Sequence, residues 1–366
     1  MKLLYITNQV CGSAGLERVL SIKASYLTDK LGYEVHILTL NQGSSPLFYS
    51  YSSNIKFHDI SLHGNVFKYP YLYSNGIIKK IKLIKPDIIS VCDDGLKAFF
   101  LPFILGKPCP MIYERHVSKN VELKTDNVNF FNKIITKIKF SLMHLGAKKY
   151  DKFIVLTNDN LKEWKLDNLE VISNPLSFNP TNLSNLENKK VLVVGRHSFQ
   201  KGYDRLLQIW KNVSEKHPNW QLDIYGKFDE NETFLKLSEK LDLSKTINFF
   251  PPVKNIEAKY KEASIYLMTS RFEGFGMVLI EAMAFGVPCI SFDCPCGPND
   301  IISNGENGFL IENDNLESFS NHLELLIKDS DLRKKMGSKA KLKTEKYLPE
   351  TIVNQWDSLF NTLKNP

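Results

Sequence analysis

No apolar run in the 366-residue sequence approaches the about 18 residues of a membrane-spanning helix, so an integral membrane protein is not expected. Low-complexity tracts and short internal repeats are missing too, which argues against disordered tails and repeat arrays. The opening residues MKLLYITNQVCGSAG carry one lysine and a short strand-like run that breaks into glycines, so no signal peptide is expected there. Six cysteines, at 11, 92, 109, 289, 294 and 296, show neither a disulfide framework nor zinc-ligand spacing. Cys294-Pro295-Cys296 lacks a second pair, and reduced cytosolic thiols are the expectation. A dinucleotide fingerprint is absent as well. "CGSAGLER" has the wrong glycine spacing, and the second strand ends in "LTLNQG" with no acidic residue for a ribose, so an NAD enzyme is not expected. The basic residues come without an aromatic platform or a recognised module, which argues against a nucleic-acid partner.

What is present is a globular composition, 43% hydrophobic and 24% charged, in a chain long enough for two domains. The net charge of +7 is uneven: residues 1–176 hold 23 Lys/Arg against 15 Asp/Glu, and the rest hold 24 against 25. A basic half suggests an anionic surface or substrate met by that half; a solubility-tuned surface is the plainer alternative. Short β-type runs alternate with helical patterns throughout, the sign of βαβ units and parallel sheets. Strands are expected at Leu3–Thr7, Val35–Leu40, Asp87–Val91, Met111–Glu114 and Phe153–Thr157, with helices near 17–30, 77–85 and 132–149. After an Asn/Ser/Pro-rich stretch at 173–190 the pattern restarts, with strands at Val191–Val194, Leu222–Tyr225, Ile247–Phe250, Ile265–Thr269 and Cys289–Phe292. Two doubly wound domains in tandem are expected, facing a cleft at the strand C-terminal ends.

Four segments follow strands, where such folds hold ligands. In "CGSAGLER", Gly12 and Gly15 could let backbone approach an anion at a helix N-terminus, or could form only a tight turn. In "VLVVGRHSFQKGYDRLL", Arg196 leaves a strand end and Lys201 stands at the head of the next helix, so both cations can converge on a phosphate pair. In "RFEGFGMVLIEAMAFGVPCI", helical periodicity starts near Gly276 and stops at Gly286 and Pro288. Glu273 therefore lies in the loop, and Gly274, Phe275, Gly276 and Met277 form the helix mouth, whose free N–H groups suit a phosphate or a hydroxyl. Glu281 lies inside the helix among apolar residues, where a carboxylate needs a partner: a ligand diol, or an arginine. The fourth segment is "MIYERHVSKN", with Arg115 and His116 just past a strand.

E-x7-E after a strand, G-R-x4-K-G heading the second domain and a basic first domain together resemble the retaining GT-B glycosyltransferases of family 4, over nearly the whole chain. "CPCGPNDIISNGENGFLI" (294–311) is similar to the segment following the E-x7-E helix in bacterial polysaccharide transferases of that family. The resemblance implies an α/β GT-B fold with an acceptor-binding Rossmann-like domain over 1–175, completed by a C-terminal helix at 349–366 that crosses back onto it. A donor-binding Rossmann-like domain spans 176–348. It implies that Glu273 faces the donor sugar, that Glu281 holds the nucleotide ribose, and that His116 or Arg115 reaches the sugar from the first domain. Gly15, Arg196, Lys201 and Gly274–Met277 complete the donor contacts. No cofactor and no metal are implied, because Arg196 and Lys201 can neutralise the leaving diphosphate; Asp93-Asp94 is then a strand-end turn.

The activity so implied is transfer of a hexose or N-acetylhexosamine from a UDP-sugar to a glycan hydroxyl, on a lipid-linked acceptor in surface polysaccharide assembly. The alternatives are a UDP-sugar epimerase of the same fold and a non-catalytic nucleotide-sugar-binding subunit. Two segments bear on location. Ile77, Ile78, Ile81 and Ile84 recur at helical spacing among Lys79, Lys80, Lys82 and Lys85. Ile134, Ile135, Ile138, Leu142 and Leu145 do so among lysines 133, 137, 139, 148, 149 and 152. Either is a docked helix with a solvated face or part of a peripheral contact with an anionic inner membrane surface.

Overall fold

Strands that read as near-continuous apolar runs need cover on both faces, and the chain meets this with parallel sheets flanked by helices. The computed structural model describes residues 1–62, 68–122 and 130–365. The chain divides into two units: Met1–Val117, Asn127–Ser177 and Tyr347–Pro366 form the first, Ser118–Asp126 and Phe178–Lys346 the second. Among the described residues, no helix is long and apolar enough to cross a membrane.

The first unit holds seven parallel strands: β1 (Lys2–Ile6), β2 (Glu34–Leu40), β3 (Lys56–Ile60), β4 (Ile88–Val91), β5 (Met111–Glu114), β6 (Lys152–Val155) and β7 (Leu169–Val171). Their order is β3-β2-β1-β4-β5-β6-β7. The chain winds outward from β1 in one direction and from β4 in the other, so the sheet reverses between those two strands. Ligands bind at such reversals, beyond the strand C-terminal ends. The second unit repeats the plan with β8 (Lys190–Val194), β9 (Gln221–Tyr225), β10 (Ile247–Phe250), β11 (Ile265–Met268), β12 (Cys289–Phe292) and β13 (Gly308–Ile311). The order is β10-β9-β8-β11-β12-β13, with the reversal between β8 and β11.

The last helix, Pro349–Lys364, belongs to the first unit rather than to the one that precedes it in sequence. Proline at its start suits the missing N–H of a first helical turn. Ile352, Val353, Trp356, Leu359 and Phe360 form its buried face. Tyr33 donates its hydroxyl to Asp357 at 2.6 Å, and Lys364 pairs with Asp87 at 3.1 Å.

The two lysine-flanked helices differ. Helix Tyr69–Ile84 buries Ile77, Ile81 and Ile84, so its apolar face is core. Helix Phe130–Ala147 buries Met143 and Ala147 but leaves Ile134, Ile135, Ile138, Leu142 and Leu145 between 38% and 63% exposed. The side chain of Lys133 lies outside the described residues.

Candidate active site

In the second unit, β8 and β11 deliver their following loops to the sheet reversal. Glycines make the close approach possible. A Cβ on Gly226 would sit 1.8 Å from the Gly195 carbonyl oxygen, and one on Gly202 would sit 2.2 Å from that of Thr269. Gly202 also holds φ +64°, in the left-handed region, and starts helix Tyr203–Ser214 directly against the β11 loop. Thr269 Oγ1 donates to the Lys201 carbonyl at 3.1 Å, tying the two loops together.

Lys201 and Glu273, 72 residues apart, meet here. Lys201 Nζ donates to Glu273 Oε1 at 2.7 Å, and Ser270 Oγ donates to the same oxygen at 2.6 Å. The Lys201 and Glu273 side chains are only 16% and 8% exposed. Two donors on one oxygen fix the carboxylate and leave Oε2 with no hydrogen bond among the described residues. The sequence assigns these residues to different parts of one ligand; the fold makes them an ion pair. Arg196 is exposed, and its guanidinium has no ion pair among the described residues. Arg271 instead clamps Asp204 through two hydrogen bonds of 2.9 and 2.7 Å and lies over the Phe199 ring, which holds the loop that carries Lys201.

Gly276, at φ +97°, begins helix Met277–Ala284, and no side chain caps it. Gly274, Phe275 and Met277 line this mouth, and a Cβ on Gly297 would collide with the Phe275 carbonyl at 1.9 Å, so the loop after β12 presses on it. Glu281 is 1% exposed, and Tyr260 donates its hydroxyl to Oε2 at 2.9 Å. The fold thus supplies a phenol to this carboxylate.

Beside Arg196 a cavity of about 310 Å³ is lined by His197, Ser198, Gln200, Lys227 and Phe272 among others. His197 is buried, with rings of Tyr203, Phe228 and Phe249 around it and no hydrogen-bond partner on either nitrogen among the described residues. Burial lowers its pKa and keeps it neutral at pH 7. His197, Ser270 and Tyr260 went unnoticed in the sequence. Ser270 had a local signal, three residues before Glu273, the spacing at which a hydroxyl can reach a carboxylate. For the other two there was none.

In the first unit the loops after β1, β4 and β5 meet at the other reversal. Gly15 opens helix Gly15–Asp29, and nothing lies within 4 Å of where its Cβ would be. A Cβ on Gly12 would meet Glu17 Oε1 at 2.4 Å. Asp93 takes hydrogen bonds from Asn8 (2.7 Å) and the Gly95 amide (2.8 Å) and an ion pair from Lys97, while Asp94 pairs with Arg115 at 3.2 Å. The two adjacent carboxylates therefore serve different partners. Arg115 is 2% exposed and lies against Phe99 and Trp164, holding the β4 and β5 ends. His116 Nε2 lies 3.2 Å from Glu114 Oε2, and its Nδ1 has no hydrogen-bond partner among the described residues.

Two parallel-sheet Rossmann-like units in tandem are the plan of the GT-B fold. Residues 178–343 match the family described as "Glycosyl transferases group 1". An uncharacterised glycosyltransferase of Haemophilus influenzae is 31% identical over 360 residues, covering 95% of this chain and 97% of that protein. The amylovoran biosynthesis glycosyltransferase AmsD of Erwinia amylovora is 30% identical, covering 98% and 99%. A TarM variant of S. aureus, solved with Fondaparinux, α-GlcNAc-glycerol and UDP, superposes with TM-score 0.80 at 17% identity, covering 98% of this chain and 99% of that one. The chain belongs to the glycosyltransferases, and it is a hexosyltransferase with the GT-B fold.

Proposed function

We propose that the chain is a retaining transferase of family 4 that moves a hexose or N-acetylhexosamine from a UDP-sugar to a hydroxyl of a lipid-linked glycan in surface polysaccharide assembly. The second unit binds the donor and the first the acceptor. The observation that carries this reading is the fixed Glu273 carboxylate, held by Lys201 and Ser270 with one oxygen open, on a loop tied to the one that carries the exposed Arg196. In transfer, the bond from the sugar's anomeric carbon to the β-phosphate oxygen breaks, the acceptor oxygen bonds to that carbon, and the acceptor's proton passes to the departing diphosphate. Arg196 and Lys201 stabilise the charge that grows on the diphosphate. Glu273 and the Gly274–Met277 amides orient the sugar. The TarM complex with UDP and the amylovoran relative support a nucleotide donor and a polysaccharide product. A thermal-shift panel of UDP-, GDP- and ADP-sugars tests the donor: UDP-sugars should raise Tm most, and no response to any nucleotide would overturn the reading. Chelation with EDTA should leave turnover intact, because protein cations do the neutralising; loss with rescue by Mn²⁺ would contradict this.

Glu281 is read as the ribose ligand, with the Tyr260 hydroxyl as its second partner. Glu281→Gln keeps the shape but weakens the acceptance of hydroxyls, so UDP should bind about tenfold more weakly, the scale of one charge-assisted hydrogen bond. Unchanged UDP affinity in calorimetry would remove the ribose role.

The acceptor side of this reading includes a membrane surface. Helix Phe130–Ala147 presents exposed Ile134, Ile135, Ile138, Leu142 and Leu145, with Lys137, Lys148 and Lys149 exposed beside them and the half-exposed Phe103 near Lys149. An apolar stripe flanked by lysines suits the headgroup region of an anionic leaflet, where each lysine adds about 1 kcal/mol. The protein is thus read as a cytoplasmic enzyme held peripherally at the inner membrane face. Co-sedimentation with anionic vesicles should weaken with salt, and Ile135→Glu/Ile138→Glu should abolish it. Equal behaviour of the variant and the parent would move the contact elsewhere.

A further inference from the structure

Behind His116 the first unit buries a charged cluster. Lys23, on helix Gly15–Asp29, forms an ion pair with Glu114 at the end of β5, and both side chains are 1% exposed. Ser90 on β4 donates to the other Glu114 oxygen at 2.5 Å. The Lys23 ammonium also lies 3.8 Å from the ring centroid of Trp356, so the C-terminal helix covers the pair with an aromatic face. Burial alone would raise the Glu114 carboxyl; the Lys23 ammonium is the largest opposing influence and holds it below the usual carboxylate range. The Lys23 ammonium at one oxygen and the Ser90 hydroxyl donating to the other fit an ionised Glu114. Cys92, Glu114 and His116 have donor atoms within 4.8 Å of one another, a grouping that could hold a metal ion. Here the Lys23 ammonium already supplies the positive charge, and burial pushes the Cys92 thiol up, away from thiolate.

An ionised carboxylate only accepts hydrogen bonds, so the His116 nitrogen facing it must carry the proton. In the neutral ring Nδ1 is then a bare acceptor. It lies on a side chain that is 6% exposed, at the C-terminal end of β5, with no partner among the described residues. We propose that Glu114, charge-balanced by Lys23 and covered by Trp356, is a positioning residue that locks His116 in the Nε2–H tautomer and presents Nδ1 as a hydrogen-bond acceptor to a substrate hydroxyl. This rests on the reading of the first unit as part of the transfer site. Wrong-tautomer losses are large where a histidine's orienting carboxylate becomes an amide, because the ring then offers a donor where an acceptor is needed.

The test is a long-range ¹H–¹⁵N correlation spectrum of the full chain with ¹⁵N-labelled histidine, His116 being assigned by comparison with His116→Gln. The parent should show Nε2 protonated and Nδ1 bare. Glu114→Gln should lose that signature and lower kcat at least tenfold, leaving the affinity for UDP within twofold. In the Glu114→Gln background, His116→Ala should add little further loss of kcat, because both changes remove one function. Since Glu114→Gln leaves a buried ammonium unpaired and can misfold, Lys23→Met/Glu114→Gln removes both charges and should show the same loss of signature. A parent spectrum with Nδ1 protonated, or with the two tautomers averaged, would overturn the proposal. So would losses of kcat that multiply in the double variant. UDP binding by the parent reports separately on the donor reading: its failure would sink that reading and leave the tautomer result standing.

Discussion

Arg196→Ala should lower kcat/KM by about 10²-fold or more and leave Tm unchanged, whereas Lys201→Ala should lower both. In the proposed reaction the two cations share the task of stabilising the developing charge, but they stand in different surroundings. Arg196 is exposed and unpaired among the described residues, so its removal costs the transition state and not the fold. Lys201 is the counter-ion of a Glu273 that is only 8% exposed. Truncating it strands a buried carboxylate, which destabilises the β8 and β11 loops as well as the reaction. Lys201→Arg keeps the charge but not the compact ammonium and should recover Tm better than kcat. Activity unchanged in both alanine variants would remove the phosphate assignment.

Glu273→Gln should reduce kcat by about 10²-fold, the scale for one preorganised polar group at a reacting centre, and change UDP affinity less than threefold. Lys201 and Ser270 both donate to Oε1, so the carboxylate is oriented before any ligand arrives. In the glutamine variant the amide nitrogen must face either those donors or the sugar, and both choices are wrong for one partner. Ser270→Ala should show the same defect in weaker form, because it frees the carboxylate to rotate. A Glu273→Gln enzyme with normal kcat and weakened UDP binding would exchange the roles of Glu273 and Glu281.

The central strands of both sheets were legible because their apolar runs are uninterrupted, as in "KLLYI" and "KVLVV". The edge strands β3, β7 and β13 were not. β3 reads "KFHDI", polar enough to pass for loop, β7 has three residues, and β13 opens on glycine. An edge strand has one neighbour and less burial, so its composition carries less of the β signal. The end of helix Met277–Ala284 was readable from Gly286, and its beginning from Gly276. Contacts between distant residues were not readable. Nothing local tells that Lys201 would meet Glu273 or that Tyr260 would reach Glu281. Periodicity also treats helices Tyr69–Ile84 and Phe130–Ala147 alike, since it reports that a helix has an apolar face and not whether another element covers it.

The most direct measurement is nucleoside diphosphate release from UDP-sugars with and without a lipid-linked glycan acceptor, in EDTA, with the anomeric configuration of the product read by NMR. Release that depends on acceptor, with a glycoside keeping the donor's configuration, is the expected result. Interconversion of UDP-sugars without consumption of acceptor, or an inverted product, would contradict retaining transfer.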